Sequence, residues 1–149
     1  MLEAPGRLGR GERRDEVRED LASRRFAFIN VWRNIVDTPV QRSPLAVCDT
    51  NSVPREDFFL YELIFPHRVG ENYSLKFNEA HKWYYYPKMT KDECLIFKVY
   101  DKAEDGPRFV FHTAFDDPQT TESSPARQSI EIRSIAFFDG PSDLTSKRD

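Results

Sequence analysis

Eight short runs of β-forming residues, each closed off by Pro, Gly, Asn or Asp, constrain this chain more than any other feature. They fall at 26–35, 45–48, 58–65, 73–77, 83–86, 95–100, 109–112 and 129–138. Val, Ile, Phe, Tyr and Trp suit a pleated, half-buried surface, and the intervening breakers supply turns. Short strands at near-regular spacing predict a sandwich or barrel rather than a helical bundle. With 149 residues there is material for a single core and not for two.

Outside these runs the texture is polar. Residues 1–11 hold three of the six glycines and read as a loose leader. Residues 12–24 read as a short charged helix whose apolar stripe is Val17 and Leu21, at i, i+4 spacing. Arginines from Arg7 to Arg25 could attract an anionic partner, but Glu12, Asp15, Glu16, Glu19 and Asp20 interleave them, which favours a solvated helix. The expected organisation is therefore a leader and helix over 1–25, a β domain over 26–138, and a frayed polar tail over 139–149. Thr90 and Glu93 have capping-box spacing and predict one helical turn over 90–94. The Pro, Thr and Ser residues of 116–125 predict a surface loop.

A net charge of -3 without a basic cluster gives no reason to expect nucleic acid or an anionic membrane as partner. No apolar stretch of signal or spanning length occurs near the N-terminus. Two cysteines, Cys48 and Cys94, are too few for a stapled secreted scaffold of this size, so reduced thiols in a cytoplasmic setting are expected.

Chemistry concentrates in the last strand. Period-two alternation puts Arg127, Ser129, Glu131 and Arg133 on one face and Ile130 and Ile132 on the other, so the polar face lines either solvent or a polar cavity. A guanidinium and a hydroxyl two residues apart can hold one carboxylate; the alternative is that Arg127 and Arg133 pair with Glu131 or face water. His112 ends the apolar run Phe109, Val110, Phe111, where it is either a metal ligand or a hydrogen-bonded strand terminus. His81, beside the aromatic run from Trp83 to Tyr86, reads as a strand-edge residue next to a core, with a ligand role as the alternative. His67 lies in a Pro-flanked turn facing solvent. The aromatic run itself is expected to fill the interior.

Seven blocks occur in a characteristic order: NVWR (30–33), PLAVCD (44–49), GENY (70–73), HKWYY (81–85), FKVYD (97–101), HTAFDDP (112–118) and RQSIEIR (127–133). In this order they resemble the C-terminal half of the fungal and bacterial hydroxylase/desaturase family that includes gibberellin desaturase and the cephem 7-methoxylase component. The resemblance covers about 13–138. It implies a mainly β chain, a double-stranded β-helix (jelly-roll) fragment with a short N-terminal helix. It also implies Fe(II) and 2-oxoglutarate as cofactors, and oxidation of a small specialised metabolite by hydroxylation or desaturation. By matching position, His112 is the distal iron ligand, and Arg127 with Ser129 binds the far carboxylate of 2-oxoglutarate; Lys98, Tyr100 and Arg133 shape the surrounding pocket.

One element of the family pattern is missing. Family members are longer, and their N-terminal half supplies a His-x-Asp pair, whereas His67, His81 and His112 are followed two positions on by Val69, Trp83 and Ala114. A facial triad needs three protein donors, so autonomous catalysis is not expected from these histidines, and a non-catalytic accessory or binding protein is the competing reading. A jelly roll without its early strands would expose edges and apolar surface, which predicts self-association or pairing with a second chain.

Overall fold

The computed structural model describes residues 10–138, with side chains from 14 onward; the expected leader over 1–9 and tail over 139–149 lie outside the described residues. One helix, α1 (Arg10–Ser23), precedes eight strands: β1 (Arg25–Asn34), β2 (Leu45–Cys48), β3 (Phe58–Phe65), β4 (Arg68–Leu75), β5 (Trp83–Tyr85), β6 (Leu95–Asp101), β7 (His112–Ala114) and β8 (Ser129–Phe138). They form two three-stranded sheets, β6-β1-β8 and β5-β2-β7, and a separate hairpin, β3-β4. All of the strand pairings are antiparallel.

β1 is the centre of the first sheet. All ten of its residues pair with β8 in unbroken register, from Arg25 opposite Phe138 to Asn34 opposite Ser129. On its other side Ala27 to Trp32 pair with β6, with one bulge between Phe28 and Ile29. Residues directly opposite in a ladder share a face. Asn30 lies opposite both Phe97 and Arg133, and Trp32 opposite both Leu95 and Glu131. Trp32 and Phe97 are buried in the core with Val40, Leu45 and Met89, and Leu95 and Val99 pack against it, so this face is the interior one. The opposite face carries the row Ile96, Val31, Ile132 across three strands, and Ile96 and Ile132 are 67% and 59% exposed. Thus β8 sets its polar side on the face of Trp32 and Asn30 and its isoleucines on the other, with Ser129 half-buried and Glu131 and Arg133 exposed.

Two polar side chains hold the interior in shape. Asn34, 1% exposed, donates Nδ2 to the carbonyls of Val36 (3.0 Å) and Thr38 (2.8 Å) and accepts from Val36 N–H at 3.3 Å, closing the turn that leaves β1. Asp101, 2% exposed, accepts from Arg25 Nη2 (2.9 Å), Lys98 Nζ (2.8 Å) and Ala103 N–H (3.0 Å). Burial alone would raise the Asp101 carboxyl, but these bonds outweigh it and hold the group well below the ordinary carboxylate range. The neighbouring Lys102 donates Nζ to the carbonyls of Leu21, Ala22 and Arg24, satisfying the open C-terminal end of α1.

Several expectations needed correction. The fourth strand begins at Arg68, five residues earlier than its β-former run, because the two-residue turn at Pro66 and His67 pairs it with β3 at once. The strand expected at 109–112 is instead His112–Ala114, while Val110 N–H bonds Lys98 O and Phe111 O accepts from Cys48 N–H. Residues 90–94 form a turn without a helix; Glu93 does reach back to Thr90 N–H at 2.8 Å, but its carboxylate also takes the Thr90 hydroxyl, leaving no side-chain cap for a helix. The aromatic run does not fill the interior: Trp83, Tyr84, Tyr85 and Tyr86 are all exposed, at 40%, 57%, 36% and 59%. Cys48 is buried and Cys94 exposed, and neither forms a disulfide.

Two outcomes follow from the buried polar groups. Asn34→Ala leaves the Val36 N–H and two carbonyls without their partner, and is expected to cost about 1–3 kcal/mol in urea unfolding. The depressed Asp101 carboxyl contributes stability that is complete above its unfolded value near 4, and that is lost progressively as pH falls below it toward the folded value. Unfolding free energy measured from pH 7 to pH 2 should therefore fall in acid, and Asp101→Asn should flatten that slope while lowering stability at neutral pH.

Candidate functional site

His112 belongs to β7, opposite Val47 of β2, yet its ring reaches the other sheet, with its centroid 4.6 Å from that of Phe97. Its Nδ1 lies 3.1 Å from the carbonyl oxygen of Val110. A carbonyl can only accept, so Nδ1 is the donor, and in the neutral ring that leaves Nε2 with its lone pair. That arrangement of a backbone-tethered Nδ1 with a free Nε2 is how metal-binding imidazoles are oriented, and it equally satisfies a histidine that binds nothing.

Arg127 and Ser129 approach the interior from the first sheet. Ser129 stands opposite Asn34, half-buried, and among the described residues no side-chain hydrogen bond engages its hydroxyl. Arg127, also half-buried, sets its guanidinium 5.6 Å from the centre of the Trp32 ring and donates Nη1 to the carbonyl of Ser43 at 2.5 Å. It makes no ion pair among the described residues, so its remaining N–H groups are available to a carboxylate. Arg127 also lines a cavity of about 330 Å³ with Asn34, Pro39, Val40, Gln41 and Pro125; neither His112 nor Ser129 lines it.

Phe97, beneath His112, lies opposite Asn30, whereas Ser129 lies opposite Asn34. Four residues of strand separate the two points, about 13 Å at the usual rise. The guanidinium reaches back over Trp32 and shortens that gap. His112 and the Arg127–Ser129 pair thus face one interior from opposite sheets, at neighbouring but separate positions.

Between them lies a network that sequence reasoning did not single out. Asn30 is fully buried; its Nδ2 donates to Glu131 Oε1 at 2.7 Å and its Oδ1 accepts from Arg133 Nε at 3.2 Å. Arg133 and Glu131 approach to 4.0 Å. The pairing expected as an alternative therefore exists for Arg133 but not for Arg127. An Asn inside an apolar run was the available signal, since a buried amide needs partners. Of the pocket-shaping candidates, Lys98 is committed to Asp101, and the Tyr100 hydroxyl accepts from Arg108 Nη2 at 3.1 Å.

The other two histidines do not join His112. His81 is buried with Nε2 2.9 Å from Asp57 Oδ2, and the same oxygen accepts from Asn78 at 2.7 Å. The hydrogen bond from Asn78, opposed by burial and helped by His81, holds the Asp57 carboxyl below its ordinary range. This removes the Nε2 of His81 from ligand duty. His67 is exposed in the β3–β4 turn. Among the described residues no three His, Cys, Asp or Glu side chains come together as a metal site. The donor set at Arg127 and Ser129 fits a carboxylate, whereas a lone imidazole does not fit a held ferrous ion.

The chain is similar to the hydroxylase/desaturase efuI of Hormonema carpetanum, 37% identical over 131 residues that make up 80% of this chain and 43% of that protein. It is also similar to the hydroxylase/desaturase asaB of Aspergillus flavus, 34% identical over 81% of this chain and 59% of the relative. Among solved structures, the iron and alpha-ketoglutarate-dependent endoperoxidase NvfI matches with a TM-score of 0.70 and 34% identity, covering 85% of this chain and 46% of that one. This chain therefore spans between about two fifths and three fifths of these relatives. The strands are those of a jelly-roll fragment, and the family described as Oxidoreductase/YMDC permease-like domain matches residues 7–137; the chain belongs to that family.

Proposed function

We propose that this chain is the co-substrate-gripping part of an iron- and 2-oxoglutarate-dependent oxidoreductase, a hydroxylase or desaturase acting on a small specialised metabolite. The observation that carries the reading is the inward face of β8. An arginine free of any carboxylate partner and a serine hydroxyl project toward the same interior as a histidine whose Nδ1 is tethered and whose Nε2 is available. In this reading Arg127 and Ser129 hold the far carboxylate of 2-oxoglutarate, and His112 offers one nitrogen to the metal. Trp32 under the guanidinium excludes water from one side of it and strengthens the charge-assisted bonds made there. Residues 26–138 act as the functional unit in this reading, and the reduced cysteines suit a cytoplasmic protein. No described helix is long and apolar enough to cross a membrane.

Iron does not fit these residues alone, because the described chain brings one imidazole and no second or third donor to the same place. That observation favours a second reading, an accessory protein that binds a dicarboxylate without turning it over. Anaerobic calorimetry with 2-oxoglutarate, with and without ferrous iron, separates the two. Both readings expect 2-oxoglutarate to bind and Arg127→Ala to weaken it by about ten- to a hundredfold, the worth of a lost charge-assisted contact. Only the oxygenase reading expects iron to bind once the remaining ligands are supplied by a longer or second chain, with that iron lost in His112→Ala. Affinity for 2-oxoglutarate unchanged by Arg127→Ala would sink both.

The outward row of Ile96, Val31 and Ile132, with Ile130 and Ile35 beside it, supports self-association, since no further strand pairs with β8 among the described residues. Analytical ultracentrifugation should show concentration-dependent association that the double variant Ile96→Lys, Ile132→Lys abolishes without loss of fold. A wild-type monomer at every concentration would contradict it.

A further inference from the structure

The loop that meets Arg127 is held in a conformation its residues do not favour. Ser43 has φ 49, one of two non-glycine residues in the left-handed region among the described residues. Pro44 follows it, and a residue before proline is ordinarily driven to extended backbone. Such a conformation persists only where its surroundings over-determine it, and here they do. Arg42 donates Nη2 to the carbonyls of Thr121 and Glu122, each at 3.2 Å, and Thr120 donates its hydroxyl to Gln41 O at 2.9 Å. On the far side, buried Pro44 accepts from Phe115 N–H at 3.4 Å and leads directly into β2. The turn is therefore anchored before and after Ser43, and the Ser43 carbonyl is what the anchored turn presents to Arg127.

We propose that Ser43 is a positioning residue for the carboxylate site: its left-handed backbone aims its carbonyl at Arg127 Nη1, and with the Trp32 ring beneath it fixes the guanidinium for a carboxylate arriving beside Ser129. A free arginine side chain has many rotamers, and ordering it on binding would consume affinity. A tether on Nη1 and a ring on one face remove that cost in advance and leave Nε and Nη2 to the ligand. The role rests on the carboxylate-binding reading of Arg127. The same strain that Ser43 carries makes it specific, because an extended residue at 43 would turn the carbonyl elsewhere.

The test uses the full chain with two ligands, 2-oxoglutarate and 2-oxobutyrate, the second lacking the far carboxylate, together with nitrogen-15 spectra of the arginine side chains. Wild type should prefer 2-oxoglutarate, and Arg127 should show separate, slowly exchanging Nη signals. Ser43→Gly, which adopts positive φ freely, should keep both properties. Ser43→Val, whose branched side chain resists positive φ, should average the Nη signals and reduce the preference for 2-oxoglutarate by about tenfold, the effect of one charge-assisted contact. A merely structural role would lower stability without changing the ratio of the two affinities. Should Ser43→Val not fold, Arg42→Ala frees the turn from Thr121 and Glu122 without touching the core and carries the same expectation. Preference in the wild type that both variants retain overturns the positioning role and leaves the carboxylate reading standing. A wild type that does not distinguish the two ligands overturns that reading, and the role with it.

Discussion

Register between β1 and β8 is the constraint on which the rest of the site depends. Ten consecutive pairs set Ser129, Glu131 and Arg133 against Asn34, Trp32 and Asn30. A slip of one residue would turn all three outward and send Ile130, Ile132 and their neighbours into the interior. Hydrophobicity alone would favour that slip, since the outward isoleucines are apolar and the inward residues are not. What opposes it is the fully buried Asn30, whose amide donates to Glu131 and whose carbonyl accepts from Arg133. An amide with both ends engaged across the ladder recognises one register, and in any other it would be a buried polar group without partners.

Much of this was legible in the residues. Three strands, 45–48, 58–65 and 129–138, have the bounds their β-former runs predict, because each run is dense in branched or aromatic residues and ends at a breaker. The alternation of β8 was equally plain. Alternation reports two faces without saying which is inside, and here the polar one is. That could not be read from β8 alone, because the answer lies in β1, where Trp32 and Asn30 point to the core side. The aromatic run at 83–86 misled for the same reason: aromatic residues in a strand imply a surface to cover, yet all four stay exposed, Tyr85 meeting the Phe115 ring edge-on at 4.9 Å. Ser43 was invisible, since a left-handed serine before proline has no sequence signature.

The fold and the chemistry divide differently along the chain. In the proposed reading, the co-substrate side needs only elements that this chain contains: β8, the Trp32 ring and the turn at Ser43. The metal side needs several donors converging on one point, and His112 is alone there among the described residues. A guanidinium can be preordered by a carbonyl and a ring, and a carboxylate ligand supplies the rest of the binding energy. A single imidazole has no comparable route to holding a metal, because the chelate that keeps an ion in place requires the other donors. In the proposed reading, dicarboxylate recognition and metal retention are for that reason separable.

The polar face of β8 is compatible with that reading. Ser129 on that face is half-buried while Glu131 and Arg133 stay exposed, so apolar replacements there would add little to a core built on Trp32, Val40, Leu45, Met89 and Phe97. Buried polar networks are often no more stabilising than the apolar residues that could replace them. The fully buried Asn30 joins Glu131 and Arg133, while the left-handed turn at Ser43 and the Trp32 ring hold the half-buried Arg127. In the proposed reading, these contacts border the space where the carboxylate of a ligand would be placed.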